Sequence, residues 1–89
     1  MYLDVYELLE NCKRLANKEI LVYGERKSAE YWFNVALNAL VSPAVNWVAE
    51  ECEIVIDGVT YDGVVMIHND GRVYPMMRDS YEKLYGGVA

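Results

Sequence analysis

Along this chain the spacing of apolar residues switches from helical to alternating, and that switch limits the folds open to it. Apart from one short stretch, apolar side chains before Cys52 recur at helical spacing. From Cys52 onward, "CEIVIDGVTYDGVVMIHNDGRVYP" alternates with a period of two and is punctuated by Asp57-Gly58, Asp62-Gly63 and Asp70-Gly71. A period near 3.6 buries one stripe of a helix, and a period of two buries one face of a strand. A chain that does one and then the other is expected to be α+β, with helices packed on an antiparallel sheet. At 89 residues it is expected to form one domain over residues 1–89, burying roughly 60% of the surface its unfolded chain would expose.

Asp4 with Glu7 makes a capping-box pattern ahead of Val5, Leu8, Leu9, Cys12, Leu15 and Ala16, so a helix is expected over about residues 5–17. "ILVYG", Ile20 to Gly24, is short, β-branched and closed by glycine, and predicts a strand. Ser28 should cap a second helix that buries Ala29, Trp32, Phe33, Ala36, Leu37 and Leu40. Ser42-Pro43 either starts a third helix or kinks the second, and "AVNWVAEE" continues at helical spacing to Glu51, with Trp47 packing between this helix and the sheet. Three strands follow, at about 52–57, 59–68 and 72–76, as an antiparallel meander. Asp57-Gly58 forms a two-residue hairpin turn and Asp62-Gly63 a bulge or bend inside one long strand. "VVMI", Val64 to Ile67, is apolar on both faces and is expected to be central. Asp79 with Glu82 should open a short terminal helix that Gly86-Gly87 stops.

Composition and charge remove several functions. With 54% hydrophobic and 25% charged residues the chain is not disordered. Its apolar runs fall well short of the roughly 18 to 20 residues that span a bilayer. "MYLDVYELLE" carries acids where a secretory signal carries bases, so a cytoplasmic location is expected. Net charge is −6, and all of the imbalance lies in the middle of the chain: residues 28–71 hold seven acids and no lysine or arginine, while the remainder holds seven acids against eight bases. The bases are scattered, which disfavours direct binding of nucleic acid, since that needs a basic footprint.

Candidates for chemistry each have a plainer structural reading. His68 is the only histidine and closes the predicted central strand, with Asp70 already accounted for by turn chemistry, so neither a metal site nor a catalytic dyad is expected. Cys12 and Cys52 could in principle pair, but their positions in a helix stripe and a strand suit small buried hydrophobes. Glu50, Glu51 and Glu53 could do acid–base work only if a pocket separated their pKa values. No cofactor or metal is expected, and an enzyme is the least favoured reading.

The expected use of the acids is recognition. If Glu50, Glu51 and Glu53 share a face with Glu30, Asp57 and Asp62, they create a negative field suited to a basic groove on a larger protein. Eight tyrosines exceed what so small a core needs, and exposed ones such as Tyr31 and Tyr61 offer contact area at low entropic cost. In size, acidity and tyrosine content the chain is similar in type to phage-encoded inhibitors of nucleic-acid-handling host systems, including anti-restriction and anti-CRISPR proteins; no shared motif carries that similarity. The alternative expectation is a self-associating accessory or structural domain, a homodimer whose acids serve only solubility.

Overall fold

The computed structural model describes residues 4–40 and 46–86. Asp4, extended at φ −83°, caps α1 (Val5–Ala16) by accepting a hydrogen bond from the Glu7 amide at 3.0 Å. The helix buries Leu8, Cys12 and Leu15, the 3.6-period stripe of its sequence. Strand β1 (Ile20–Val22) reverses at Tyr23-Gly24 into β2 (Glu25–Arg26). Both turn residues have positive φ, 52° and 79°, which matches the right-handed twist of a tight hairpin. Ser28 then caps α2 (Ala29–Ala39), its Oγ accepting from the Tyr31 amide at 3.2 Å, and the helix buries Trp32 and Ala36.

The remainder is β3 (Trp47–Ile56), β4 (Val59–His68), β5 (Val73–Met77), α3 (Arg78–Tyr81) and a π-helical turn over Glu82–Gly86. The protein is therefore α+β, but with five antiparallel strands in the order β2-β1-β3-β4-β5, where the sequence predicts a separate short strand and a meander of three. Trp47 to Glu51 are strand, not the end of a third helix. Ala and Glu favour a helix there weakly, whereas the ladder with β4 runs unbroken through ten residue pairs, and tertiary pairing overrides propensity. The Ser42-Pro43 cap or kink falls outside the described residues. The terminal helix starts at Arg78 after a Met77 cap that makes no side-chain hydrogen bond, so Asp79 is not the cap that its spacing to Glu82 predicts.

Parity along the β3–β4 ladder sorts side chains into two faces. Even residues of β3 and odd residues of β4 face α1 and α2, where Leu8, Cys12, Leu15, Ile20, Trp32, Ala36, Cys52, Ile54, Val65 and Ile67 make the core. Val64, Met66 and His68 are buried on the opposite face, beneath the C-terminal helical segment. The "VVMI" stretch thus has both faces covered and a strand on each side, as its composition predicts. Pro75 is accommodated because β5 is an edge strand. Among the described residues no helix is long and apolar enough to cross a membrane.

Asp57-Gly58 forms the expected hairpin turn, with φ of 50° and 79°. Asp62-Gly63 is neither bulge nor bend, because the register runs unbroken from Trp47↔His68 to Ile56↔Val59. Glycine is needed at residue 63 for a different reason. A Cβ there would overlap the Ile54 side chain, lying 2.8 Å from Cγ1 and 3.0 Å from the Met76 carbonyl oxygen. Gly63→Ala is therefore expected to lose about 1–3 kcal/mol of stability in urea titration. Adding Ile54→Val, which removes the nearer methyl, should cost less in that background than it does alone; simple additivity of the two substitutions would contradict this packing account.

Candidate functional site

The sequence-predicted acids meet where β1 stops short. The β1–β3 ladder extends only through Ile20↔Ile54 and Leu21↔Glu53, after which the chain turns away at Tyr23. Beyond that point a cleft of about 480 Å³ opens along the part of β3 that no described strand pairs on this side, lined by Val22, Tyr23, Tyr31, Trp32, Ala49, Glu50, Glu51, Cys52, Glu53, Asp62 and Arg78. Because successive side chains of a strand alternate, Glu50 and Cys52 enter from the helix side and Glu51 and Glu53 from the other. Asp62 lies directly across the ladder from Glu53. The cleft thus gathers four carboxylates around one guanidinium.

Two of these carboxylates have described partners. Arg78 Nη2 reaches Glu51 Oε1 at 2.6 Å, a base from outside the acidic block that the fold brings to it. Glu53 Oε1 accepts from the Gly24 amide at 3.0 Å and so fastens the β1–β2 turn to β3. None of the ion pairs among the described residues involves Glu50, Glu53 or Asp62. The strand assignment also removes the helix-dipole penalty that a helix ending on Glu50 and Glu51 would carry.

Of the other predicted site residues, Tyr31 lines the cleft, its ring edge-on to Trp32 at 5.1 Å and beneath the Lys27 ammonium at 5.2 Å. Tyr61 instead borders a smaller depression, of about 200 Å³, with Asp62, Met77, Arg78 and Asp79. Glu30, on the exposed side of α2, and Asp57, in the hairpin turn, line neither. The expected six-acid face is therefore a four-acid cleft with two outliers. Sequence reasoning missed Tyr23, 94% exposed at the cleft mouth. It also missed the open edge at Ala49 and the indole of Trp32, 1% exposed, whose Nε1–H has no acceptor among the described residues.

The remaining candidates take part in packing. Trp47 leaves the predicted helix–sheet contact and packs instead against Tyr85 and Tyr81, with centroids at 4.8 and 6.3 Å. His68 stacks on Tyr74 and its Nε2 shares a hydrogen bond of 2.8 Å with the Tyr74 hydroxyl. Burial, and then the Arg72 guanidinium, hold its pKa below the ordinary 6.5, with Asp70 opposing. Cys12 and Cys52 are buried and unpaired, and burial raises both thiols to about 11, so neither supplies a thiolate near neutral pH. Among the described residues no group of three or more His, Cys, Asp or Glu is placed to hold a metal ion. No protein-family model, curated protein or solved structure matches the chain.

Two outcomes follow from these shifts. The unfolded chain binds a proton on His68 more readily than the folded one, so stability from this group is complete above about pH 6.5 and falls as pH drops below it. The urea midpoint should decline between about pH 7.5 and about pH 5.5, and decline less in His68→Gln; equal slopes would remove His68 as the cause. A disulfide reagent at about pH 8 should label Cys12 and Cys52 only at the rate the protein opens, and rapid labelling without denaturant would contradict the burial of these thiols.

Proposed function

We propose that this chain is a small, non-enzymatic protein-binding module whose acidic cleft seats on a basic surface of a larger protein, of the kind that otherwise holds nucleic acid. The observation that carries the reading is the convergence of Glu50, Glu51, Glu53 and Asp62 on one cleft with a single base, Arg78. Like charges held together oppose folding by self-repulsion, and a cationic partner turns that cost into affinity and a faster encounter. Tyr23 and Tyr31 at the cleft supply the flat, low-entropy contact area that interfaces favour. This is the combination expected of an inhibitor that takes the place of nucleic acid in its binding groove, the type to which the similarity with anti-restriction and anti-CRISPR proteins points.

The second reading is self-association through a sheet edge with the acids serving solubility, favoured by the uncovered stretch of β3. The two separate cleanly. Immobilised protein should retain a nucleic-acid-handling partner at low salt and release it at about 0.5 M salt, where the Debye length has shrunk to a few ångströms. Glu50→Lys with Asp62→Lys, which spares the Glu53 hydrogen bond to Gly24, should abolish retention and leave thermal unfolding nearly unchanged. Retention that survives both high salt and charge reversal would overturn the acidic-module reading, and a salt-insensitive dimer with no partner would favour the second.

A further inference from the structure

We propose that the cleft binds an extended cationic segment of its partner as an added β-strand on the free edge of β3, with arginine or lysine at alternate positions; this rests on the acidic-module reading above. The edge is defined by hydrogen bonding. The Val55 amide donates to the Glu19 carbonyl at 3.0 Å on the β1 side, and the Asn46 carbonyl accepts from the Asn69 amide at 2.9 Å on the β4 side. In an antiparallel strand each residue turns its N–H and C=O to the same side and successive residues alternate. Odd residues of β3 therefore present their backbone to the β1 side. Glu53 is covered there by Leu21, and no described strand covers Ala49 or Glu51. Residues 47–51 offer roughly 13 Å of edge, room for about four residues of an incoming strand.

The wall of the cleft also carries a built-in reporter. Trp32 lies in it almost fully buried, and its indole N–H lacks an acceptor among the described residues. A buried donor left unpaired is costly, so this N–H is a sensitive reporter of any change in the cleft wall when a segment is seated. Charge then selects the occupant. Side chains of an added strand alternate between the two faces, so one set lies beside Glu51, Glu53 and Asp62 and the other beside Glu50 and Tyr31. Basic side chains suit the first set. A second copy of this chain brings the same glutamates to the same edge and meets like charge. Nucleic acid is repelled, having no basic footprint here to bind.

The test uses a synthetic peptide, acetyl-Thr-Arg-Thr-Arg-Thr-Arg-amide, and two versions N-methylated at either all the arginine amides or all the threonine amides. The two methylated versions share charge, sequence and number of methyl groups and differ in which edge can donate hydrogen bonds, so each controls for the bulk of the other. Calorimetric titration should show the parent binding, one methylated version weaker by about tenfold or more, and the other within about twofold. In Trp47→Phe protein, where Trp32 is the remaining tryptophan, the indole N–H resonance should shift on adding the parent peptide, placing the peptide at this cleft. Equal binding of all three peptides, lost on Glu50→Lys with Asp62→Lys, would overturn strand addition and leave the acidic-module reading standing. Failure of the parent peptide to bind at low salt would also overturn strand addition, while the partner-retention experiment would still decide the wider function. Self-association that the peptide does not displace would point to a second copy as the occupant and count against the proposal.

Discussion

The pairing of β3 with β4 determines on which side of the sheet every other group in this protein sits. It runs through ten residue pairs from a turn at Asp57-Gly58, and both turn residues have the positive φ that a two-residue connection requires. A slip of one residue would carry Cys52 and Ile54, or Val65 and Ile67, from the helix side to the other face. The packing of Ile54 over Gly63 opposes such a slip, because only a residue without a Cβ fits beneath that side chain. Both the core and the composition of the cleft follow from this register. Odd parity sends Glu51 and Glu53 to one side and even parity sends Glu50 to the other, so the acids surround the strand edge instead of lying flat on one face.

That edge exists because β1 is only three residues long and hands over to β2 at Tyr23-Gly24. Uncovered strand edges recruit other strands, and proteins blunt them in several ways. Here β2 is two residues long and β5 carries Pro75, whose ring leaves that residue no amide to donate. The open stretch of β3 has neither device and is flanked instead by Glu50, Glu51 and Glu53. Charge of one sign keeps away identical edges while remaining attractive to cationic ones, so these glutamates can protect the edge and select its occupant together.

The α+β class, both long helices with their caps, the hairpin at Asp57-Gly58 and the doubly buried Val64–Ile67 were all legible in the sequence, since each is written in local spacing or turn chemistry. The misreading of 47–51 has a physical cause. Trp47, Val48, Ala49, Glu50 and Glu51 are compatible with either period, and the decision comes from β4, whose ten residues need a partner of equal length. The Tyr23-Gly24 hairpin was hidden because tyrosine at φ 52° is uncommon outside a turn that tertiary pairing enforces. For the site, charge counting identified the acids but not their grouping. Glu30 and Asp57 have the same composition signal as Glu50 and Asp62, and only topology separates them. An open edge and an indole lacking an acceptor have no sequence signature at all.

The Arg78–Glu51 pair bears on how a cationic ligand would meet this cleft. The Glu51 side chain is 85% exposed, so the 2.6 Å contact is made largely in solvent, and exposed ion pairs contribute little net stability. A guanidinium or ammonium group from outside would therefore replace Arg78 at Glu51 at little cost to the fold, because the C-terminal segment is also held by Tyr81 and Tyr85 against Trp47. On the proposed reading Arg78 partly neutralises the empty cleft, lessening repulsion among the carboxylates, and would give way to a better-placed cation. Glu53 is different: its carboxylate secures the Gly24 amide, so it adds to the field without being free to follow the ligand. Glu50 and Asp62, with no described partner, are the carboxylates free to close directly on a basic side chain.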